Sequence, residues 1–278
     1  MVMRIEDLDP RGHDPRAARV LMDDLLWLGL DWDEGPYYQS QRREIYEQAI
    51  EHLTERGLTY PCFCTRAELH AATAPHASDG TYIYQGTCRN LTPDQVATRS
   101  ALRNPAVRIR VPDIDDPSGT ICLFDLGYGW HEETLAIDCG DFLLRRSDGV
   151  IAYQLAVVVD DTEMGVTQVV RGRDLLGSAA RQTWLATMLE HEAPTFGHVP
   201  LLMAPDGRRL SKRDKDLDLG VLRERFSSPE PLVGMLAHAV GLAEKDECVS
   251  AAELIPRFSW DVIRTHNGDI TVADGVLV

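Results

Sequence analysis

"DFLLRRSDGVIAYQLAVVVDDTEMGVTQVVRGRDLL", residues 141–176, opens and closes clearly but has an ambiguous middle, and that middle decides the fold. "DFLLRR" (141–146) is a short apolar run bounded by turn residues and reads as a strand. "VTQVVRG" (166–172) is a second strand, followed by a helix through "SAARQTWLATMLEH" (178–191). Between them, "AYQLAVVVDD" (152–161) favours a strand by its β-branched run.

On the N-terminal side, "RIEDLD" (4–9) alternates and then turns acidic, like the carboxyl end of a short strand. Asp14 as N-cap and Pro15 at the first helical position open a helix to about Leu28, with Val20, Leu21, Leu25 and Leu28 on one face and Gly29 as its stop. Ser40 caps a second helix, in which Ile45, Ala49, Ile50 and Leu53 recur at helical spacing before Gly57. "AVRIRVP" (106–112) and "TICLFDL" (120–126) read as strands. "GRRLSKRDKDLDLG" (207–220) is a charged loop, and the tail holds one convincing helix around "PLVGMLAHAVGL" (231–242). Strands and helices alternating at both ends of a strand-rich middle describe an α/β sheet interrupted by an insertion.

The chain has 278 residues, 44% of them hydrophobic and 26% charged, which is enough to bury a sizeable core. Its net charge of −16 (28 basic against 44 acidic residues) argues against a general nucleic-acid coat but leaves room for a local basic path. No apolar run reaches the ~18 residues of a membrane span, and "MVMRIEDLDP" lacks the apolar core of an export signal. A cytoplasmic location follows as the expectation. In that reducing compartment clustered cysteines more often mean metal than disulfide. Cys62, Cys64 and Cys88 are half of the chain's six cysteines and fit a zinc clip. Cys122, Cys139 and Cys248 are scattered and read as buried small apolar residues. Spacing leaves the fourth ligand open among His70, His76 and Tyr84.

Taken in order, "RIEDLDPRGHDP", "LGLDWDEGPYYQSQR", "YPCFCTR" to "GTCR", "DFLLRRSDGVIAYQLAVVVDD", "VTQVVRGRDLL" with its following "ARQ", and "RRLSKRD" resemble the glutamyl class I aminoacyl-tRNA synthetases. Within that group the chain is most similar to the glutamyl-Q tRNA(Asp) synthetases. It has too few residues after the "LSKR" loop for the helical anticodon-binding region of full glutamyl-tRNA synthetase. It also carries the Cys-x-Cys…Tyr-x-x-x-Cys arrangement of the smaller family at Cys62, Cys64, Tyr84 and Cys88.

That resemblance implies a class I synthetase core: a Rossmann-like α/β sheet in residues 1–58 and 151–219, split by a zinc-bearing α+β insertion at 59–150, with a helical tail at 220–278. It implies one structural Zn2+ on Cys62, Cys64, Cys88 and the Tyr84 phenol, and it turns "AYQLAVVVDD" into a helix. The implied reaction joins glutamate to ATP, with Mg2+, and then esterifies the glutamyl group to queuosine in the anticodon of tRNA(Asp), in a monomer. Glu6 would meet the substrate ammonium, Arg171 a carboxylate, and Tyr153 would orient the substrate. Taken singly, Tyr153 and Arg171 read as a core-edge tyrosine and a surface arginine. Lys212 is the second lysine of a KMSKS-like loop, here Arg209, Leu210, Ser211, Lys212 and Arg213, with Arg209 in place of the first lysine.

The family's opening strand and glycine-rich HIGH-type motif have no counterpart here. His13 in "RGHDP" and His198 in "FGHVP" stand outside that context. The expectation is therefore that roughly 30 to 45 residues belong upstream and that the chain as given is nearly inactive in glutamate activation. Two other readings accompany this one: a catalytic fragment of glutamyl-tRNA synthetase, and a silent, zinc-stabilised RNA-binding relative.

Overall fold

The computed structural model describes residues 1–9, 15–70, 83–208, 210, 219–273 and 276–277. Strand β1 (Val2–Ile5), helix α1 (Pro15–Trp27) and strand β2 (Glu34–Tyr38) form a unit in which β1 and β2 run parallel. Helix α1 stops where Gly29 takes φ +78°, as its glycine predicts, while Asp14 lies outside the described residues. The expected apolar face of α1 is only partly covered: Leu25 and Leu28 are half-buried, whereas Val20 and Leu21 are 57% and 43% exposed. What ties α1 down is Asp24, buried and accepting from Arg223 Nη1 at 3.0 Å.

Helix α2 (Arg43–Glu55) begins later than Ser40, which corrects the expected cap. Ser40 sits in a 3₁₀ turn, where its hydroxyl donates to Asp7 Oδ2 at 2.6 Å and its N–H to Oδ1 at 2.8 Å. With the hydroxyl taken by that carboxylate, α2 starts without a side-chain cap. Strand β3 (Thr59–Cys62), α3 (Arg66–His70) and α4 (Pro93–Ser100) follow, the last opened by a reciprocal Thr92–Gln95 capping box. Strand β4 (Ala106–Ile109) pairs antiparallel with β3. The hairpin of β5 (Thr120–Asp125) and β6 (Gly129–Thr134), then α5 (Leu135–Asp138), lead to β7 (Leu143–Arg145), which adds to β4.

The ambiguous stretch is helix α6 (Tyr153–Glu163), as the resemblance implies. Every residue from Leu155 to Asp161 is buried, so the segment packs on all sides. A helix apolar nearly all round is a core helix, and there tertiary burial outweighs β-branched propensity. Strand β8 (Gln168–Gly172), α7 (Leu176–Met188) and β9 (Thr195–Val199) make a second parallel unit. Then come β10 (Leu202–Met203), α8 (Leu219–Arg225), α9 (Glu230–Ala239), α10 (Ala251–Leu254), α11 (Trp260–Thr265), β11 (Ile270–Ala273) and β12 (Val276–Leu277). The weakly patterned end thus holds regular structure, with β11 parallel to β10 and antiparallel to β12.

One buried cluster joins Tyr46, Ile50 and Leu53 of α2 to Leu155–Val159 of α6 and Trp184–Ala186 of α7. Ile109, Leu135, Phe142 and Leu144 belong to the same cluster, and the Phe142 ring meets Trp184 edge-on at 6.3 Å. Among the described residues the parallel pairs β1–β2 and β8–β9 are separate, and side chains of α6 reach toward both. Cys139 is buried as expected, whereas Cys122 and Cys248 are exposed, which corrects their reading as core residues. Cys122 lies on the outer face of the β5–β6 hairpin, where its thiol donates to Glu132 at 3.0 Å. Among the described residues no helix is long and apolar enough to cross a membrane.

Candidate functional site

Two groups of side chains carry chemistry. The first is the cysteine cluster, where Cys62 ends β3 and Cys64 and Cys88 flank it in loops. The three sulfurs lie within 4.8 Å of one another, and Cys64 Sγ is 3.6 Å from Cys88 Sγ. Tyr84 Oη sits 3.6 Å from Cys62 Sγ and 3.5 Å from Cys64 Sγ. Gly140 lets Tyr84 in, since it takes φ +63° and a Cβ there would stand 3.0 Å from the Tyr84 carbonyl oxygen. A tetrahedral zinc with Zn–S near 2.3 Å and Zn–O near 2.0 Å sets S···S at about 3.8 Å and S···O at about 3.5 Å. The donor set fits that ion.

The surroundings disfavour these groups as anions unless a cation joins them. Cys62, Cys88 and Tyr84 are buried, and burial pushes the Cys64 thiol up to about 11. Crowding several such groups as anions is unfavourable unless a positive charge sits among them. Arg108 supplies part of it, with its guanidinium 3.9 Å over the Tyr84 ring and its Nε donating to Cys62 Sγ at 3.4 Å. The Cys88 N–H also donates to Tyr84 Oη at 2.7 Å. His76 lies outside the described residues, as do Arg209, Ser211, Lys212 and Arg213. Leu210 is half-buried, and its N–H reaches the Leu202 carbonyl at 3.3 Å.

The second group surrounds Tyr153, the first residue of α6. On its acidic side Arg4 faces three carboxylates: Asp161 at 2.8 Å, Asp160 at 3.6 Å and Glu6 at 3.7 Å. Asp160 is saturated, since it also accepts from Tyr46 Oη at 2.8 Å, Gln39 Nε2 at 2.8 Å and Arg42 Nε at 2.7 Å. Glu6 and Asp161 are left short of positive charge. Asp161 is buried and Glu6 about half exposed; desolvation raises both carboxyls above the usual range, Arg4 opposes the rise, and the neighbouring aspartates add to it.

Arg171 of β8 forms the basic side. Its Nε donates to His198 Nε2 at 3.0 Å, Nη1 to Gln182 Oε1 at 2.7 Å and Nη2 to the Leu175 carbonyl at 3.1 Å. Tyr153 is 38% exposed and feels both sides: partial desolvation raises its phenol, Arg171 opposes that, and Glu6 and Asp161 reinforce it. Glu6, Tyr153 and Arg171 are thus brought into one neighbourhood. An acidic end and a basic end flanking a phenol complement a zwitterion that carries an ammonium and carboxylates. Sequence reasoning missed Arg4, Asp160, Asp161, Gln182, Asp125 and His198 here. The acidic pair closing "AVVVDD" was the one visible signal, because two carboxylates after a buried run need partners.

The family described as tRNA synthetases class I (E and Q), catalytic domain, matches residues 1–271. The chain is 46% identical over 269 residues to a glutamyl-Q tRNA(Asp) synthetase of Symbiobacterium thermophilum, covering 92% of this chain and 81% of that protein. It is 38% identical over 268 residues to a glutamate–tRNA ligase of Coprothermobacter proteolyticus, covering 95% of this chain but 56% of that protein. A crystal structure of a glutamate tRNA ligase from Elizabethkingia meningosepticum, in complex with its amino acid, superposes with a TM-score of 0.76 at 27% identity. That match covers 97% of this chain and 60% of the ligase.

Proposed function

The chain belongs to the glutamyl-Q tRNA(Asp) synthetases among the class I (E and Q) catalytic domains, and from that premise we propose that it activates glutamate with ATP without tRNA and transfers the glutamyl group to queuosine in the anticodon of tRNA(Asp). In the first step the glutamate α-carboxylate attacks the α-phosphate of ATP, the bond to the β-phosphate breaks, and glutamyl-adenylate and pyrophosphate form. In the second a queuosine hydroxyl attacks the glutamyl carbonyl and AMP leaves.

The observation that carries the reading is the pair of oppositely charged groups flanking Tyr153: Arg4 with Glu6, Asp160 and Asp161 on one side and the directed Arg171 guanidinium on the other. Glu6, under-compensated beside Arg4, accepts the substrate ammonium. Arg171, held flat by three protein acceptors, presents its remaining N–H groups to a carboxylate. Tyr153 orients the substrate between them. Lys212, on the KMSKS-like loop, stabilises charge building on the ATP phosphates, with Mg2+ as counter-ion. Cys62, Cys64, Cys88 and Tyr84 would hold a zinc ion, which would supply structure and not chemistry. In this reading residues 1–58 and 151–219 form the catalytic core, 59–150 the zinc-bearing insertion and 220–278 the helical tail, in a cytoplasmic monomer.

Pyrophosphate exchange with glutamate and ATP alone tests the function. Exchange without tRNA supports it. Strict dependence on tRNA(Glu) would assign the chain to the glutamate–tRNA ligases instead. Lys212→Ala should lower kcat for exchange more than it raises KM for ATP, since its contact strengthens in the transition state.

A further inference from the structure

Arg171 and His198 are register partners on the parallel strands β8 and β9, so their side chains emerge side by side. An arginine Nε–H only donates, so the imidazole Nε2 facing it at 3.0 Å must offer its lone pair. The ring proton is then on Nδ1, which lies 2.6 Å from Asp125 Oδ2. Asp125 is wholly buried and cannot turn away: its Oδ1 accepts from the N–H groups of Gly127 and Tyr128, both at 2.9 Å, and of His198 at 3.2 Å. These bonds hold its carboxyl below the ordinary range despite burial. Gly127 permits the approach, because a Cβ there would overlap the His198 carbonyl oxygen. Phe196 completes the cradle, stacked on His198 at 6.2 Å and lying 4.9 Å beneath the Arg171 guanidinium.

The opposite edge of Arg171 is directed in the same way. Gln182 accepts from Nη1, and its amide is oriented because its own Nε2 donates to Gln154 Oε1 at 2.8 Å. Gln154 in turn donates to Ser178 at 3.1 Å. Every group in this chain has one donor–acceptor sense.

We propose, on the reading that Arg171 holds a carboxylate of glutamate, that Asp125 and His198 are a positioning pair: Asp125 fixes the neutral Nδ1–H tautomer of His198, whose Nε2 lone pair aims the guanidinium at the substrate. The pair touches no substrate, and Asp125 reaches it from the β5–β6 hairpin, far from β8 in sequence. Reversing the tautomer points N–H at N–H and turns Arg171 away.

The test uses the whole chain in pyrophosphate exchange and separates the two imidazole nitrogens. Glutamine at 198 places an amide near Nε2, and asparagine places one near Nδ1. His198→Gln should keep KM for glutamate within about threefold of wild type, whereas His198→Asn should raise it ~10- to 100-fold, the value of a charge-assisted contact. Asp125→Asn should raise it similarly, because an amide donor facing Nδ1 favours the wrong tautomer. KM for ATP should move less than about twofold in all three. Equal KM values for the Gln and Asn variants, with both melting near wild type, would overturn the proposal. Nitrogen-15 spectra of the wild-type chain read the pair without any substrate: a bare Nε2 on His198 and a slowly exchanging Arg171 Nε–H are expected at neutral pH. An Nε2–H tautomer or an imidazolium there would overturn it. Should wild type fail to exchange pyrophosphate with glutamate, the functional reading falls, and the spectra still decide whether Asp125 and His198 aim Arg171.

Discussion

The cysteine cluster and the proposed glutamate site are built on opposite plans. The cluster draws all its candidate ligands from Cys62 to Cys88, with Arg108 stacked behind. The proposed glutamate site collects Glu6 from just after β1, Tyr153 from α6, Arg171 from β8 and His198 from β9. A short-range site keeps its geometry wherever its hairpin goes. A long-range site exists only while the core of α2, α6 and α7 holds its parts together. Perturbing the cluster should therefore cost stability first, and perturbing the glutamate site should cost function first.

Zinc removal is the largest expected effect. Elemental analysis should find about one zinc per chain. At free zinc about a thousandfold above its Kd, the ion contributes about 4 kcal/mol to stability, so chelation should lower the urea midpoint accordingly. Cys62→Ala should abolish binding, and Tyr84→Phe should weaken it by about one to two orders of magnitude, measured by chelator competition. Replacing His70 and His76 together should leave the metal in place; loss of zinc from that double variant would make a histidine the fourth ligand.

Next comes Arg171→Ala. It should cut kcat/KM for glutamate about a hundredfold, roughly 3 kcal/mol, while KM for ATP stays within about twofold. The variant also strands His198 Nε2 and Gln182 Oε1, a stability cost of about 1–2 kcal/mol. Arg171→Lys should not rescue, since one ammonium cannot replace three directed N–H bonds. If the stability loss exceeded the functional loss, Arg171 would be a structural residue and the contrast between the two sites would collapse.

The same contrast explains what could be read from the sequence. The cysteine spacing announced a metal clip but could not choose its fourth ligand, because sequence distance does not say which side chain the chain folds back. The fold supports Tyr84, whose phenol it brings to 3.6 Å from Cys62 Sγ and 3.5 Å from Cys64 Sγ through the close approach of Tyr84 to Gly140. Helix α6 was misjudged on propensity because "AVVV" is β-prone in isolation and helical only when packed on all sides. Tyr153 and Arg171 looked generic because their partners lie far along the chain. His198 could not be singled out at all: its meaning comes from Asp125, brought to it by a hairpin of which only the first strand was recognised.

A smaller effect is expected from Tyr46→Phe. Its hydroxyl donates to the wholly buried Asp160 at 2.8 Å, which keeps Gln39 and Arg42 as partners when it is lost. A hydrogen bond to a charged group is worth about 1.5–3 kcal/mol, and the surviving partners place the loss at the low end. Urea unfolding measures it as a shifted midpoint at constant slope. If Asp160 also anchors Arg4 beneath Glu6, KM for glutamate should rise by about two- to threefold although Tyr46 is remote from the substrate. An unchanged KM would confine Asp160 to the core.

The smallest effect, and the one that separates the two ends of the substrate, is the pH response at Glu6. Its side chain is about half exposed; the partial desolvation that remains raises its carboxyl above the ordinary 4.5, Arg4 works against this, and Asp161 and Asp160 add to it. A carboxyl whose folded pKa is raised binds its proton more tightly in the native state than in the unfolded chain. Its ionisation therefore costs stability progressively as pH rises from 4.5 through the folded value, and the cost is removed on acidification. The glutamate ammonium has the reverse demand, since it needs Glu6 ionised. KM for glutamate should thus climb on acidification in the pH range just above that where an ordinary glutamate titrates, while the Arg171 end is unaffected. Substrate binding brings a positive charge beside Glu6 and lowers its pKa, so it should release a fraction of a proton. Calorimetry in two buffers of different ionisation enthalpy reads that fraction directly. Glu6→Gln should abolish the proton release and flatten the pH profile at a raised KM. A wild-type KM that is level across this range would mean that Glu6 is not the partner of the ammonium, and Asp161, the other under-compensated carboxylate beside Arg4, would take its place.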